Sequence, residues 1–164
     1  MTDPYLDSTT ALTPGDAAVA LILIEGGRYL LQQRDPLPQI FFPDHWGMFG
    51  GAMEPGETER EALQRELVEE IGIRFDPDLM HYFTQMDFDF TYCGRKPIKR
   101  VFFTIGPLDA AILDKVDLKE GAAARAFTAR EALGTLRMTP YDAFALWMHA
   151  NNGRLTPAEP DRLP

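Results

Sequence analysis

The order of apolar and polar residues predicts that the folded part of the chain begins with two adjacent strands. Residues 17–24 (AAVALILI) are continuously apolar. The run is too short to cross a membrane and is typical of a strand buried on both faces. Gly26 and Gly27 then turn the chain, and residues 28–34 (RYLLQQR) are predicted to return as its hairpin partner.

A long helix is predicted over residues 58–71, a run rich in residues that favour helix. Thr58 and Glu61 have the spacing of a capping box at its start, and Gly72 is placed to end it. An apolar stripe repeats every four residues, at Leu63, Leu67 and Ile71. The pattern therefore predicts both ends of the helix and its buried face.

Three carboxylates, Glu66, Glu69 and Glu70, share another face of this helix. Like charges at these spacings destabilise an isolated helix by roughly 0.2–0.5 kcal/mol per pair, so they need solvent, counter-charges or a cation. Hard oxygen ligands on one rigid element suit Mg²⁺ or Mn²⁺ better than zinc. The alternative is a solvated acidic face.

The alternation of apolar and polar residues predicts a second pair of strands after the long helix. Residues 81–92 have a period of two with Tyr82 on a largely apolar face, residues 94–97 form a turn, and residues 98–105 return. Residues 122–127 are predicted to form a last short strand.

Two further helices are predicted near the C-terminal end. Thr128 and Glu131 have the spacing of another capping box, and Pro140 suits the first turn of a final helix over residues 141–150.

The length of 164 residues fits one domain. We divide the chain into an N-terminal arm (1–16), a domain (17–150) and a C-terminal tail (151–164). The arm has no periodicity and is a candidate contact in a homodimer. No apolar run approaches the ~20 residues of a membrane span.

The charge of the chain limits its partners. Sixteen Lys and Arg against 25 Asp and Glu give a net charge of −9, which argues against binding to nucleic acid or to an anionic membrane. Bridging divalent cations would still allow an acidic protein to bind a phosphate substrate. The acidic N-terminus and the single cysteine, Cys93, lead us to expect a cytoplasmic protein.

The segment with the most specific pattern is residues 51–73, with the spacing G-x5-E-x7-REL-x-EE-x-GI. It resembles the Nudix box at every fixed position, and the chain is identified as a member of the Nudix hydrolase family (MutT-like). The order of elements extends a weaker resemblance over residues 17–150. The implied fold is an α+β Nudix fold, a mixed β-sheet sandwiched between α-helices.

The resemblance implies hydrolysis of a nucleoside diphosphate linked to another group, by water attack on phosphorus assisted by Mg²⁺ or Mn²⁺. Carried over by position, the implied metal ligands are the Gly50 carbonyl, Glu66, Glu69 and Glu70. Many members add a carboxylate from a later loop. Glu120 is the candidate here, and the alternatives are Asp117, Asp87 and Asp89.

The resemblance also implies catalytic roles inside the box. We rank Glu66 above Glu69 as the base that takes a proton from water. Arg65 resembles the arginine that orients a box glutamate, and Glu57 resembles a partner that supports the ligands from behind. The alternative for Arg65 is a surface ion pair with Glu61 or Glu69.

The residues that bind substrate are predicted outside the box. Arg34, near the box in this fold, is expected to contact a phosphate. Phe42 or Trp46 would stack on a nucleobase, or alternatively pack against the core. Arg100 belongs to a basic cluster with Arg95, Lys96 and Lys99, which would clamp an outer phosphate or remain a set of solvated charges.

Substrate choice is the least determined expectation. Signatures of the ADP-ribose, NADH and dinucleoside polyphosphate subgroups are absent at their expected offsets, which favours a (d)NTP or a modified nucleotide. The alternatives are a nucleoside diphosphate sugar and, in a different class, a non-catalytic nucleotide-sensing module. An isopentenyl diphosphate isomerase, which shares the fold, would need a catalytic cysteine, and Cys93 suits that role poorly.

Overall fold

The structure is a computed structural model that describes residues 15–38, 40, 42–89, 91 and 97–154. The predicted arm and tail lie outside these residues, except for residues 15–16 and 151–154. Most of the predicted turn at residues 94–97 lies outside them as well.

Seven strands and three α-helices are present in the described residues. The strands are β1 (Ala17–Ile24), β2 (Arg28–Gln33), β3 (Trp46–Gly47), β4 (Phe49–Ala52), β5 (Met80–Phe88), β6 (Ile98–Leu108) and β7 (Ala123–Thr128). The helices are α1 (Glu59–Ile71), α2 (Ala129–Thr135) and α3 (Pro140–Ala150). Short 3-10 turns lie at Pro77–Leu79, Ala110–Lys115 and Asn152–Arg154.

The sheet is mixed, with β1 at its centre. β1 runs parallel to β6, which pairs antiparallel with β5. On the other side, β1 pairs antiparallel with β4 through residues 17–20 and with β2 through residues 22–24. β2 pairs antiparallel with β7 along its whole length and, at Gln32 and Gln33, with β3. β1 therefore changes its antiparallel partner from β4 to β2 between residues 20 and 22.

Side chains of β1 alternate between two buried layers. Ala18, Ala20 and Ile22 pack with α1, whereas Val19 and Leu21 pack with α2 and α3. The predicted strand buried on both faces and the predicted sheet between helices are therefore confirmed.

The structure confirms the predicted ends of the helices. These ends could be predicted because they depend on contacts between residues close in the chain. Thr58 and Glu61 form the capping box of α1, and Gly72 is its C-cap. Thr128 and Glu131 form the second capping box, at the start of α2.

The uniform alternation predicted for the third long strand was wrong in part. β5 ends at Phe88, and a bulge between Tyr82 and Thr84 shifts the register. Tyr82 is therefore 59% exposed, while Phe83 packs against the α2 and α3 layer together with Met86. The sequence reading also missed β3 and β4, which are short and rich in glycine.

Leu67→Ala is expected to lower the free energy of unfolding by about 2–5 kcal/mol, because Leu67 is fully buried between α1 and the sheet. Leu133→Ala, on the exposed side of α2, is the matched control. Urea unfolding of both variants measures the difference, and equal losses would contradict the placement of the core.

Candidate active site

Arg65 organises the polar face of α1. Its guanidinium forms a bidentate pair with Glu57, through Nε to Oε1 (2.8 Å) and Nη2 to Oε2 (2.9 Å), and Nη2 also donates to the Ala52 carbonyl (2.9 Å). Nη1 donates to Glu66 Oε1 at 2.8 Å and to Glu69 Oε2 at 3.3 Å. Arg65 therefore ties the preceding loop to two of the three box glutamates, which is more than a surface pair.

Glu57 completes this connection between the loop and the helix. Hydrogen bonds from the Arg65 side chain and from the Glu54 backbone lower the pKa of Glu57 to about 2. Glu57 is thus an ionised partner of Arg65 over the whole neutral range.

Glu70 lies beneath this surface and is only 6% exposed. Its Oε2 accepts a hydrogen bond from the Gly50 backbone N–H at 2.7 Å, and its Oε1 accepts one from Gln32 Nε2 at 2.8 Å. Burial, together with the charges of Glu66 and Glu120, raises the pKa of Glu70 to about 7 against the effect of these hydrogen bonds. A buried carboxylate with this pKa, beside two others, would gain from a nearby cation.

Residues 47–51, which we call the glycine segment, lie against these carboxylates. Gly50 has φ 122°, and a Cβ there would lie 2.3 Å from the Ala18 carbonyl oxygen. A Cβ on Gly51 would lie 2.5 Å from Glu66 Oε2. Glycine at both positions lets β4 pack closely on β1 and leaves room for the Glu66 carboxylate.

Glu66 is mostly buried beside Gly51. Burial raises the pKa of Glu66, and the Arg65 guanidinium opposes that shift. The charges of Glu69 and Glu120 raise the pKa further. Glu69, by contrast, has a half-exposed side chain.

The loop that carries Glu120 is held close to the end of α1. The Lys119 N–H donates to the Glu70 carbonyl, and the Asp117 N–H donates to the Ile71 carbonyl. The Ala122 N–H donates to the Gln33 carbonyl on β2. The structure thus brings Glu120, the favoured loop carboxylate, close enough for its charge to act on Glu66 and Glu70.

Of the competing carboxylates, Asp117 lies beside Gly72 at the C-terminal end of α1. Asp87 lies on β5, where its side chain accepts a hydrogen bond from Gln85, and Asp89 accepts from Thr91. None of these three contributes to the raised pKa values of Glu66 and Glu70.

A small pocket of about 110 Å³ joins this loop to β2. It is lined by Gln32, Arg34, Asp35, Ile40, Glu70, Glu120 and Gly121. Arg34, the predicted phosphate contact, therefore lies at the same pocket as two of the predicted metal ligands.

The donor chemistry fits Mg²⁺ or Mn²⁺, although the carboxylates are engaged with protein donors. In the part of the chain that the structure describes, no three acidic, histidine or cysteine side chains form a ready metal cluster. Arg65 donates to Oε1 of Glu66, while Gln32 and the Gly50 N–H donate to the two oxygens of Glu70. The donors are hard oxygens that repel each other, which is the environment these ions neutralise.

For the predicted aromatic contacts, the structure favours the packing alternative. Phe42 is 2% exposed and packs edge-on against Tyr141, with ring centroids 5.9 Å apart. Trp46 packs edge-on against Phe127 at 4.9 Å. The Phe42 ring is thus closed to a nucleobase in this conformation, whereas Trp46 is partly buried.

The described members of the basic cluster pair with protein carboxylates. Lys99 Nζ lies 2.6 Å from Glu59 Oε1, and Arg100 Nη2 lies 2.9 Å from Asp142 Oδ1. Arg100 is mostly buried, so it is not a solvated hairpin charge, and the ion pair favours an internal role over a phosphate clamp. Arg95 and Lys96 lie outside the described residues.

The sequence analysis did not single out two buried polar residues near the site, Gln32 and Asp142. Both are polar residues at inward positions of apolar elements, Gln32 next to Leu31 in β2 and Asp142 in the first turn of α3. A buried polar side chain needs a partner, and that signal alone would have drawn attention to them.

A family model described as NUDIX domain matches residues 13–150 of this chain. The chain therefore belongs to the NUDIX domain family, and the predicted membership is confirmed. The nucleoside triphosphatase NudI of Enterobacter sp. (strain 638) is 45% identical over 58 residues, which are 35% of this chain and 40% of that protein. The NAD-capped RNA hydrolase NudC of Chromobacterium violaceum is 35% identical over 72 residues, 44% of this chain and 26% of that protein. This chain thus aligns with less than half the length of either relative.

Solved structures show the same fold. The MutT protein of Methanosarcina mazei Go1 has a TM-score of 0.69 at 23% identity, and the match covers 89% of this chain and 100% of that one. The E. coli dihydroneopterin triphosphate pyrophosphohydrolase has a TM-score of 0.63 at 20% identity, over 83% and 94% of the two chains. Among the described residues, no helix is both long and apolar enough to span a membrane.

Proposed function

We propose that this protein is a divalent-metal-dependent pyrophosphohydrolase that cleaves a (d)NTP or modified nucleotide by water attack on phosphorus. The observation that carries the proposal is the position of Glu66 and Glu70 against the glycine segment, Glu66 beside Gly51 and Glu70 on the Gly50 N–H, with Glu120 lining the same pocket as Glu70. The alignment with a nucleoside triphosphatase supports the substrate class.

Each group has a defined part in this proposal. Gly50, Glu66, Glu69, Glu70 and Glu120 would hold Mg²⁺ or Mn²⁺. When bound, the ion neutralises phosphate oxygens and makes a bound water more acidic. Arg34 contacts a substrate phosphate from the wall of the pocket.

Glu66 is the proposed base. Arg65 holds its Oε1, and its Oε2 lies beside Gly51. The bond from the water oxygen to phosphorus forms while the bridging P–O bond breaks with its electron pair. Glu66 takes the proton of the water, and the released phosphate leaves. Arg65 orients the carboxylate and takes no proton.

A nucleotide panel tests the proposal. Wild-type protein and Glu66→Gln are incubated with ribo- and deoxyribonucleoside triphosphates, oxidised nucleotides, nucleoside diphosphate sugars and NADH, each with Mg²⁺, Mn²⁺ or EDTA. Metal-dependent release of phosphate or pyrophosphate from a triphosphate by the wild type alone is expected. Cleavage only of nucleotide sugars would replace the substrate class. A melting shift with one nucleotide and no turnover of any would contradict hydrolysis and favour the sensing module.

The metal-free protein is expected to lose stability as pH rises from about 5 to about 8. Burial raises the pKa of Glu70 from 4.5 to about 7, so the folded state binds more protons than the unfolded state between these values. The free energy of unfolding then falls with rising pH, by about 3 kcal/mol at most.

Thermal unfolding in EDTA measures this change. The advantage of wild type over Glu70→Gln should be larger near pH 5 than near pH 8, and Mg²⁺ should restore stability at the higher pH. Glu25→Gln, an exposed change outside the site, is the control. A difference between wild type and Glu70→Gln that does not vary with pH would contradict the prediction.

A further inference from the structure

The glycine segment crosses from one ladder of the sheet to another at Met48. Gly47 pairs with β2, whereas Phe49 pairs with β1, so the buried backbone of Met48 lies between the two ladders. Its N–H donates to Asp142 Oδ2 at 2.9 Å, and its carbonyl accepts from Gln32 Nε2 at 3.1 Å. Buried backbone groups require partners, and here two side chains supply them.

These two side chains belong to different layers of the fold. Gln32 also donates to Glu70 of α1, so it connects Met48 with the carboxylate that holds the Gly50 N–H. Asp142 belongs to α3, on the opposite face of the sheet. The glycine segment is therefore held from both faces within three consecutive residues, 48–50.

Asp142 is itself held by Arg100 of β6. Arg100 Nη2 donates to Asp142 Oδ1 at 2.9 Å, and the guanidinium lies 3.8 Å from the centroid of the Tyr141 ring. Asp142 is 1% exposed, and a buried carboxylate is costly without a counter-charge, which Arg100 supplies. The two oxygens of Asp142 thus connect β6 with the glycine segment.

We propose that Asp142, held by Arg100, is a positioning residue that sets the Gly50 carbonyl and the Gly51 backbone against the glutamates of α1. The inference rests on the proposed function, in which Gly50 is a metal ligand. Gly50 is only two residues after Met48, so a displacement of Met48 would also move Gly50. A misplacement of about 1 Å at a reacting group costs about 10²-fold in rate. Asp142 touches neither substrate nor metal in this role.

Two variants perturb the contact in different ways. Asp142→Asn removes the charge and leaves Arg100 facing an amide. Gly47→Ala keeps the charges of Asp142 and Arg100 but places a Cβ 2.7 Å from Asp142 Oδ2, so the carboxylate must move away from Met48. Gly134→Ala is the control, because a Cβ there has no atom within 4 Å. Melting curves first establish that each variant is folded, and Gly47→Ala serves if Asp142→Asn does not fold.

The readouts are kcat and KM for the substrate cleaved by the wild type, the apparent affinity for Mn²⁺, and amide hydrogen exchange at residues 48–51. We expect kcat to fall about 10- to 100-fold with KM nearly unchanged, weaker Mn²⁺ affinity, and faster exchange at Met48 and Gly50. The control should match the wild type.

Two results would overturn the proposal. One is unchanged exchange and kcat in a folded Gly47→Ala variant. The other is a KM change that differs between nucleobases while kcat is retained, which would make Asp142 a base-recognition residue. Hydrogen exchange can be measured without a substrate, so it tests the positioning role separately from the hydrolase activity. If the wild type cleaves no nucleotide but both variants exchange faster at residues 48–51, the positioning role is supported and the proposed hydrolase activity fails.

Discussion

Glu66→Gln is expected to lower kcat by about 10²–10⁴-fold in the presence of Mg²⁺, with a melting temperature close to that of the wild type. The substitution keeps the volume of the side chain beside Gly51 but removes the proton acceptor and a metal ligand. The amide oxygen can still accept the hydrogen bond that Arg65 Nη1 donates to Oε1, so the fold should be retained. Steady-state release of pyrophosphate or phosphate measures the effect.

Glu69→Gln distinguishes the two candidate bases. Glu69 is half-exposed and lies 3.3 Å from Arg65 Nη1, a weaker contact than that of Glu66. A larger loss for Glu69→Gln than for Glu66→Gln would reverse the assignment of the base. Glu25→Gln, the same chemical change outside the site, should leave kcat unaltered. Full activity of Glu66→Gln would remove this residue from the mechanism.

Gly51→Ala is expected to reduce kcat by about 10²-fold although no catalytic group is removed. The new Cβ would lie 2.5 Å from Glu66 Oε2, closer than atoms in contact can stand, so the carboxylate must move. A shift of about 1 Å at a reacting group costs about this much. The neighbouring backbone pairs with β1, and the substitution leaves that pairing in place.

Gly15→Ala is the matched control for Gly51→Ala, since a Cβ at Gly15 meets no atom within 4 Å. The comparison is made on folded protein at saturating substrate and metal. If Gly51→Ala retains wild-type kcat, the Glu66 carboxylate is not confined by the glycine segment as described.

The parts of the fold that were predicted correctly depend on short-range interactions. The bounds of β1 follow from an uninterrupted apolar run, and the ends of α1 follow from Thr58, Glu61 and Gly72, which contact only near neighbours in the chain. The bulge after Tyr82 arises in the pairing of β5 with β6, which is distant in the chain. Alternation along the sequence alone therefore placed Tyr82 on the wrong face. The short strands β3 and β4 carry no periodic signal, because two to four residues are too few to show one.

Among the site residues, the contacts inside the Nudix box followed from the sequence more directly than the contacts outside it. Arg65 pairs with Glu57 eight residues before it, and α1 presents both Glu66 and Glu70 toward the glycine segment, so one loop and one helix suffice to bring them together. Phe42 and Arg100 contact α3, which comes much later in the chain. Tyr141 lies about a hundred residues after Phe42, and Asp142 lies 42 residues after Arg100. The residue types of Phe42 and Arg100 suggested contact with substrate, whereas their neighbours favour packing and an internal ion pair.

The amino-acid sequence by itself determined the family, the central helix and the acidic face on it, because each is written within a few residues of local pattern. Only the tertiary structure decided which polar groups meet across the sheet. Glu70 and Gln32 are 38 residues apart in the chain, and Met48 and Asp142 are 94 apart. Such pairs form because buried polar groups must find partners wherever the packing of strands and helices brings them together, and no local pattern records that choice.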